Sequence, residues 1–255
     1  MRFLFAILLI SKGICAQSYQ ASSLALADLN LLGPQVLRVV NPANPLNPKQ
    51  RVGLHTKIWP GLADLNEMGL SYGLSKNQKR FGILVHQWGP IKYREQLLAL
   101  SFGLDLNTKM ALGISLELQQ KQIIEQDKEF DLGGNLFWNY HPHENWQWAN
   151  RLQIQARPKA AKLGLESQMR FRGSDNLSLL FGLSLAQDNA GYGAIGLEYS
   201  LKNWLFLRQG FKLRQDPDYR AGLGFRWKAW LLDLGFQWQK ALGPGQQISL
   251  SYCYL

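Results

Sequence analysis

The chain has 255 residues and a formal net charge of +10, and 46% of its residues are apolar, yet its mean hydropathy is slightly negative at −0.19. That mean excludes a bundle of transmembrane helices, whose spans are long apolar runs. The basic residues are scattered rather than clustered, which argues against a nucleic-acid binder and leaves lipid and lipopolysaccharide phosphates as the anionic neighbours.

Met1-Arg2, an unbroken apolar run over 3–10 and a small-residue site ending at Ala16 predict a secretory signal peptide over 1–16, too short to span a bilayer. Cys15 offers lipidation as an alternative, but Ile14 stands where that cleavage wants a small residue. After a cut at Ala16, Cys253 remains as the single cysteine and no internal disulfide can form.

Residues 17–50 do not read as strand. An Ala/Leu-rich piece over 21–32 ends at Gly33-Pro34, and Asn41-Pro42-Ala43-Asn44-Pro45-Leu46-Asn47-Pro48 forbids regular structure, because its prolines lack donors and fix φ. The segment is too apolar for a solvated arm, so it is expected as a plug enclosed by the rest of the chain.

From residue 51 apolar and polar residues alternate with period two, the signature of strands with one apolar face. The runs fall at 52–59, 66–74, 80–88, 93–104, 108–119, 129–140, 145–156, 161–172, 176–186, 192–201 and 203–213, with three more between 219 and 255. The segment 219–227 alternates Tyr219, Ala221, Leu223, Phe225 and Trp227 with Arg220, Gly222, Gly224 and Arg226. In 108–119, Leu112, Ile114 and Leu116 take one face and Ala111, Gly113 and Ser115 the other. Runs of about 9–11 residues match tilted strands crossing a bilayer. The expected fold is therefore all-β: a 14-stranded antiparallel transmembrane barrel over 51–255, plugged by 17–50.

Aromatic residues near the strand ends predict interfacial girdles: Trp59, Trp88, Tyr140, Trp146, Trp204, Trp227, Trp230, Trp238 and Tyr252. Connections alternate between tight, mostly Asn-bearing turns (Lys76-Asn77, Leu106-Asn107, Glu144-Asn145, Asp175-Asn176, Lys202-Asn203) and somewhat longer ones, the pattern of periplasmic turns and extracellular loops. A 14-strand lumen is wider than its own side chains fill. Charges expected to face it are Glu117, Asp131, Arg151, Lys162, Glu166, Arg170, Glu198, Arg226 and Asp233, read as an ion-pair network around the plug.

Catalytic and metal chemistry is thin. Gly69-Leu70-Ser71-Tyr72-Gly73 matches a nucleophile-elbow pattern, but within a strand rather than the strand-turn-helix that the motif needs. His141-Pro142-His143-Glu144 reads as a solvated tight turn, and His55 and His86 lie on strands without a visible acid partner. No enzyme activity and no cofactor are expected.

The Ala-rich start, Asn41-Pro42-Ala43 and the 14 strands together resemble the FadL-like outer-membrane barrels, whose hatch carries an Asn-Pro-Ala stretch before the first strand. The chain looks most like their compact Bacteroidota members, the PorV and PorQ type associated with type IX secretion, with PorP/SprF-like barrels as a near alternative. The PorV/PorQ resemblance implies an accessory barrel that binds protein partners in an outer-membrane complex. The wider resemblance implies a transporter of hydrophobic small molecules. A transporter should show an apolar path beside the hatch and could show a lateral opening; a partner barrel should show a blocked lumen.

Overall fold

The computed structural model describes residues 41, 43, 50–60, 66–90, 93–123, 128–157, 160–187, 189–213, 216–239 and 243–254. Fourteen strands form one closed barrel: β1 (Gln50–Ile58), β2 (Glu67–Lys76), β3 (Lys79–Trp88), β4 (Tyr93–Asp105), β5 (Met110–Ile123), β6 (Glu129–His143), β7 (Trp146–Arg157), β8 (Ala160–Arg172), β9 (Leu177–Ala186), β10 (Asn189–Lys202), β11 (Leu205–Leu213), β12 (Asp218–Trp227), β13 (Trp230–Gln239) and β14 (Gly243–Tyr254). Each strand pairs antiparallel with its neighbours in sequence, and β1 pairs with β14 from Gln50↔Tyr254 to Ile58↔Gln246, so no edge remains unpaired.

The expected strands correspond one to one with these. Two bounds move enough to matter. β6 continues through His141 and Pro142 to His143, so the His-Pro-His stretch is strand end rather than tight turn. Its register against β7 slips between Tyr140 and His143, which is where a residue without a donor can sit in a sheet. β14 starts at Gly243, so the last long connection is shorter than the sequence suggests.

Alternation fixes the two faces. On β5, Ile114 is 52% exposed on the outside, whereas Ser115 is 2% exposed on the inside. The outer face is apolar around the whole barrel, and strands of 9–15 residues, at about 3.3 Å per residue, give it the height of a bilayer core. The inner face is Gly, Ser, Asn, Gln and charge, with apolar exceptions such as Leu84, Phe137 and Leu180.

The barrel ends also differ. Gln50 and Tyr254 lie at the end that carries the tight turns, the periplasmic end of such barrels. There Asn77 and Gln78 both take left-handed φ (47° and 65°), which is what a two-residue hairpin turn requires. Asn107 Oδ1 caps the β4–β5 connection by accepting from Lys109 N and Met110 N, each at 2.8 Å.

Candidate functional site

The lumen has two unlike walls. A belt of charge crosses β7 to β1 near the tight-turn end. Arg151 pairs with Glu166 on the next strand, and Gln168 donates to the same carboxylate. Arg170 Nη2 donates to Ser178 Oγ (2.9 Å) and to Glu198 Oε1 (3.2 Å), thereby crossing β9. Arg208 Nε donates to Glu198 Oε2 at 2.7 Å, and its Nη1 donates to Asp233 Oδ1 at 2.5 Å. Arg51 Nη2 donates to Ser251 Oγ at 3.0 Å. These side chains are buried at bilayer depth, where an ion persists only if paired and hydrogen-bonded. Smaller sets line β3 to β6: Arg80 pairs with Asp105, Lys121 Nζ lies 2.9 Å from Asp131 Oδ2, and Asn135 Nδ2 donates to Ser115 Oγ (2.9 Å) and Glu117 Oε1 (2.8 Å).

The inner face of β1 to β4 adds rings and aliphatic groups, set among the Lys57–Glu67 pair and the buried Glu95, which accepts from Gln119 Nε2 at 2.7 Å. Nearest the longer loops stand Trp59, Trp88 and Tyr93, with Trp88 edge-on to Tyr93 at 5.5 Å between ring centroids. Further down, His55 and His86 stack with centroids 5.4 Å apart and planes 15° from parallel. Leu84, Leu97 and Ala99 form a buried apolar cluster beside and below His86 on β3 and β4. Gly69 lies between the two histidines in register, and its missing Cβ leaves room for the His55 ring.

Two residues of the Asn-Pro-Ala stretch are described, and both lie inside the barrel. Asn41 Nδ2 donates to Asn139 Oδ1 on β6 at 3.1 Å, and Asn41 Oδ1 accepts from Ala43 N at 3.0 Å, closing a local turn. Ala43 is fully buried among Ala111, Phe137, Ala149, Leu180 and Ala194, inward residues of β5, β6, β7, β9 and β10. Pro42 and the rest of 17–49 lie outside the described residues, as do the signal-peptide expectation over 1–16 and Cys15.

Of the charges expected inside, Asp131, Arg151, Glu166, Arg170, Glu198 and Asp233 stand in the pairs above, and Glu117 accepts from Asn135. Lys162 is half-buried on the inner face of β8. Arg226 emerges at the tight-turn end, its guanidinium 5.1 Å from the Phe206 ring centroid. Tyr140, Trp146, Trp204, Trp227, Trp230, Trp238 and Tyr252 are exposed on the outer face. Trp59 and Trp88, expected beside them, are only 4% and 7% exposed. They continue the inward parity of Lys57 and His86, so they line the lumen rather than the lipid boundary.

The histidines also need correction, because Glu67 Oε2 lies 3.6 Å from His86 Nε2 and Glu67 Oε1 lies 3.5 Å from Lys57 Nζ. Sequence reading missed Glu67, Arg51 and Arg208, although strand parity alone puts each on the inner face. Ser71 sits mid-strand on β2 and donates to Gly53 O at 3.2 Å, with no helix following it. Among the described residues no group of three or more potential ligands could hold a metal ion.

The wall is continuous. Register shifts occur only at Tyr140/His143, Asn189/Tyr192 and Ser200/Lys202, all at strand ends, so the described strands leave no lateral gap at mid-height.

No protein-family profile matches the chain, and no curated protein matches it. Solved structures do match. The Pseudomonas putida toluene transporter TodX superposes with a TM-score of 0.67 at 11% identity, covering 92% of this chain and 97% of that one. A Pseudomonas aeruginosa FadL homologue gives 0.66 at 11%, covering 92% and 98%. The Acinetobacter baumannii outer membrane protein Omp33 gives 0.56 at 7%, covering 81% and 98%. At these identities the likeness is one of fold: a FadL-like, multi-pass outer-membrane β-barrel.

Proposed function

We propose that this barrel passes hydrophobic small molecules across the outer membrane. The observation that carries the reading is the inner wall of β1 to β4, where Trp59, Trp88, the stacked His55–His86 pair and Leu84, Leu97 and Ala99 follow one another from the loop end to mid-barrel, beside the Lys57–Glu67 pair and Glu95. Apolar groups facing a lumen gain nothing from lipid, and an apolar solute is the partner they suit. The fold shared with a toluene transporter supports the same reading. A barrel of accessory, protein-binding role rests on the sequence resemblance to the compact PorV/PorQ-type barrels, and TodX and the FadL homologue lend it no support.

Because the wall is continuous at mid-height, the solute moves along the barrel axis rather than sideways into the bilayer. It meets the charge belt and Asn41–Ala43 near the periplasmic end, which together restrict passage of ions and water.

The test is uptake by cells with an intact lipopolysaccharide layer that express the chain. Radiolabelled toluene should enter faster than in cells carrying an empty vector, while entry of a disaccharide is unchanged. Equal toluene entry, or faster disaccharide entry, would reject a hydrophobic transporter.

A further inference from the structure

Among the described residues the two rims of the barrel expose different charge. At the tight-turn end the described residues expose Lys76 and Lys79 on one hairpin, Lys109 and Arg172 on two others, and Lys202, Arg226 and Lys228 on the last two. The exposed carboxylates described there are Glu144 and Asp175. At the opposite rim the exposed charges among the described residues balance: Arg94 and Lys128 against Glu129 and Asp216.

Two of these lysines are fixed at a definite depth. Lys202 Nζ lies 6.0 Å from the ring centroid of Trp204, and Lys228 Nζ lies 5.3 Å from that of Trp227. Both tryptophans face outward, and Trp227 is 68% exposed. Outward Trp at a strand end sits at the headgroup boundary. An ammonium held beside such a ring lies at phosphate depth, not out in the periplasm. Trp204 O accepts from Arg226 N at 2.8 Å, so the two Trp–Lys pairs are direct neighbours on the rim.

We propose that this collar binds the phosphates of anionic phospholipids in the inner leaflet. Lipopolysaccharide lies in the outer leaflet, at the opposite rim. The collar lies outside the lumen, so this proposal does not depend on what the barrel transports.

The full chain is refolded into phosphatidylcholine vesicles containing a trace of acyl-spin-labelled phosphatidylglycerol, phosphatidylcholine or lipid A. Electron spin resonance then gives the fraction of each label held at the protein surface. The parent should hold phosphatidylglycerol at least about threefold more strongly than phosphatidylcholine, an electrostatic preference that weakens with salt. Lys202→Gln/Lys228→Gln should remove half or more of that preference, Lys202→Arg/Lys228→Arg should retain it, and Arg94→Gln should leave it unchanged. If the glutamine pair does not refold, Lys76→Gln/Lys79→Gln on a different tip should lower the preference by a smaller amount. Equal retention of the two phospholipids by the parent, a preference untouched by the glutamine variants, or stronger retention of lipid A than of phosphatidylglycerol would each overturn the proposal.

Discussion

Arg208 on β11 reaches across β12 to Asp233 on β13, and it does so over Gly224, where a Cβ would stand 2.7 Å from both Arg208 Nη1 and Asp233 Oδ1. The glycine is what lets an ion pair span an intervening strand. Arg208→Met takes Asp233's guanidinium partner away in the barrel interior and leaves Glu198 with Arg170 alone, and should cost about 3–5 kcal/mol in a vesicle folding titration. Gly224→Ala forces the pair apart and should cost about 1–3 kcal/mol. In the double variant the alanine no longer meets the guanidinium and Asp233, no longer tied to it, can turn aside, so the alanine's cost should fall well below its value in the parent. Simple additivity of the two costs would mean that the pair does not cross the barrel at Gly224.

The docking of Asn41 on Asn139 makes a second prediction. Asn41→Ala and Asn139→Ala both remove this bond, and Asn41→Ala also opens the turn to Ala43 N, so each should raise ionic conductance in planar bilayers, and the double variant should do no more than Asn41→Ala alone. Deletion of residues 18–47 should raise conductance further, since a 14-strand lumen is wide. If the deletion form conducts no more than the parent, the N-terminal segment does not fill the lumen.

Depth along one outer face supplies a third. Ile114 lies opposite Leu136, mid-strand on β6, whereas Met110 starts β5 at the tight-turn end. Ile114→Arg should cost roughly 2–4 kcal/mol and Met110→Arg roughly 0–1, because the penalty for a cation falls from the bilayer centre to its edge. Equal costs at the two positions would place this strand outside a membrane.

The strands were legible because period-two alternation is local: the faces of Leu112, Ile114 and Leu116 follow from β5 alone. Parity over a strand end was less secure. Trp59 and Trp88 resemble girdle residues by type and place, and only the inward runs ending at Lys57 and His86 assign them to the lumen. Cross-strand partners were not legible at all. His55, Glu67 and His86 meet because two connections set the register of β1, β2 and β3, and no spacing in the chain announces it. Nor does a small polar residue announce how tightly it packs. Ser115 reads as bordering open lumen, yet it is buried and accepts from Asn135, so an arginine there would be costly as well.

The central claim is that the inner wall of β1 to β4 carries an apolar solute, and uptake through an altered wall tests it most directly. Leu84 and Leu97 are buried on that wall, away from the charge belt and from Asn41. Leu84→Gln and Leu97→Gln variants would be compared with the parent at matched surface abundance for entry of radiolabelled toluene into intact cells. The account predicts a fall of roughly tenfold, since one polar group facing the path costs about 1–3 kcal/mol to desolvate. Unchanged toluene entry in both correctly folded variants would contradict it.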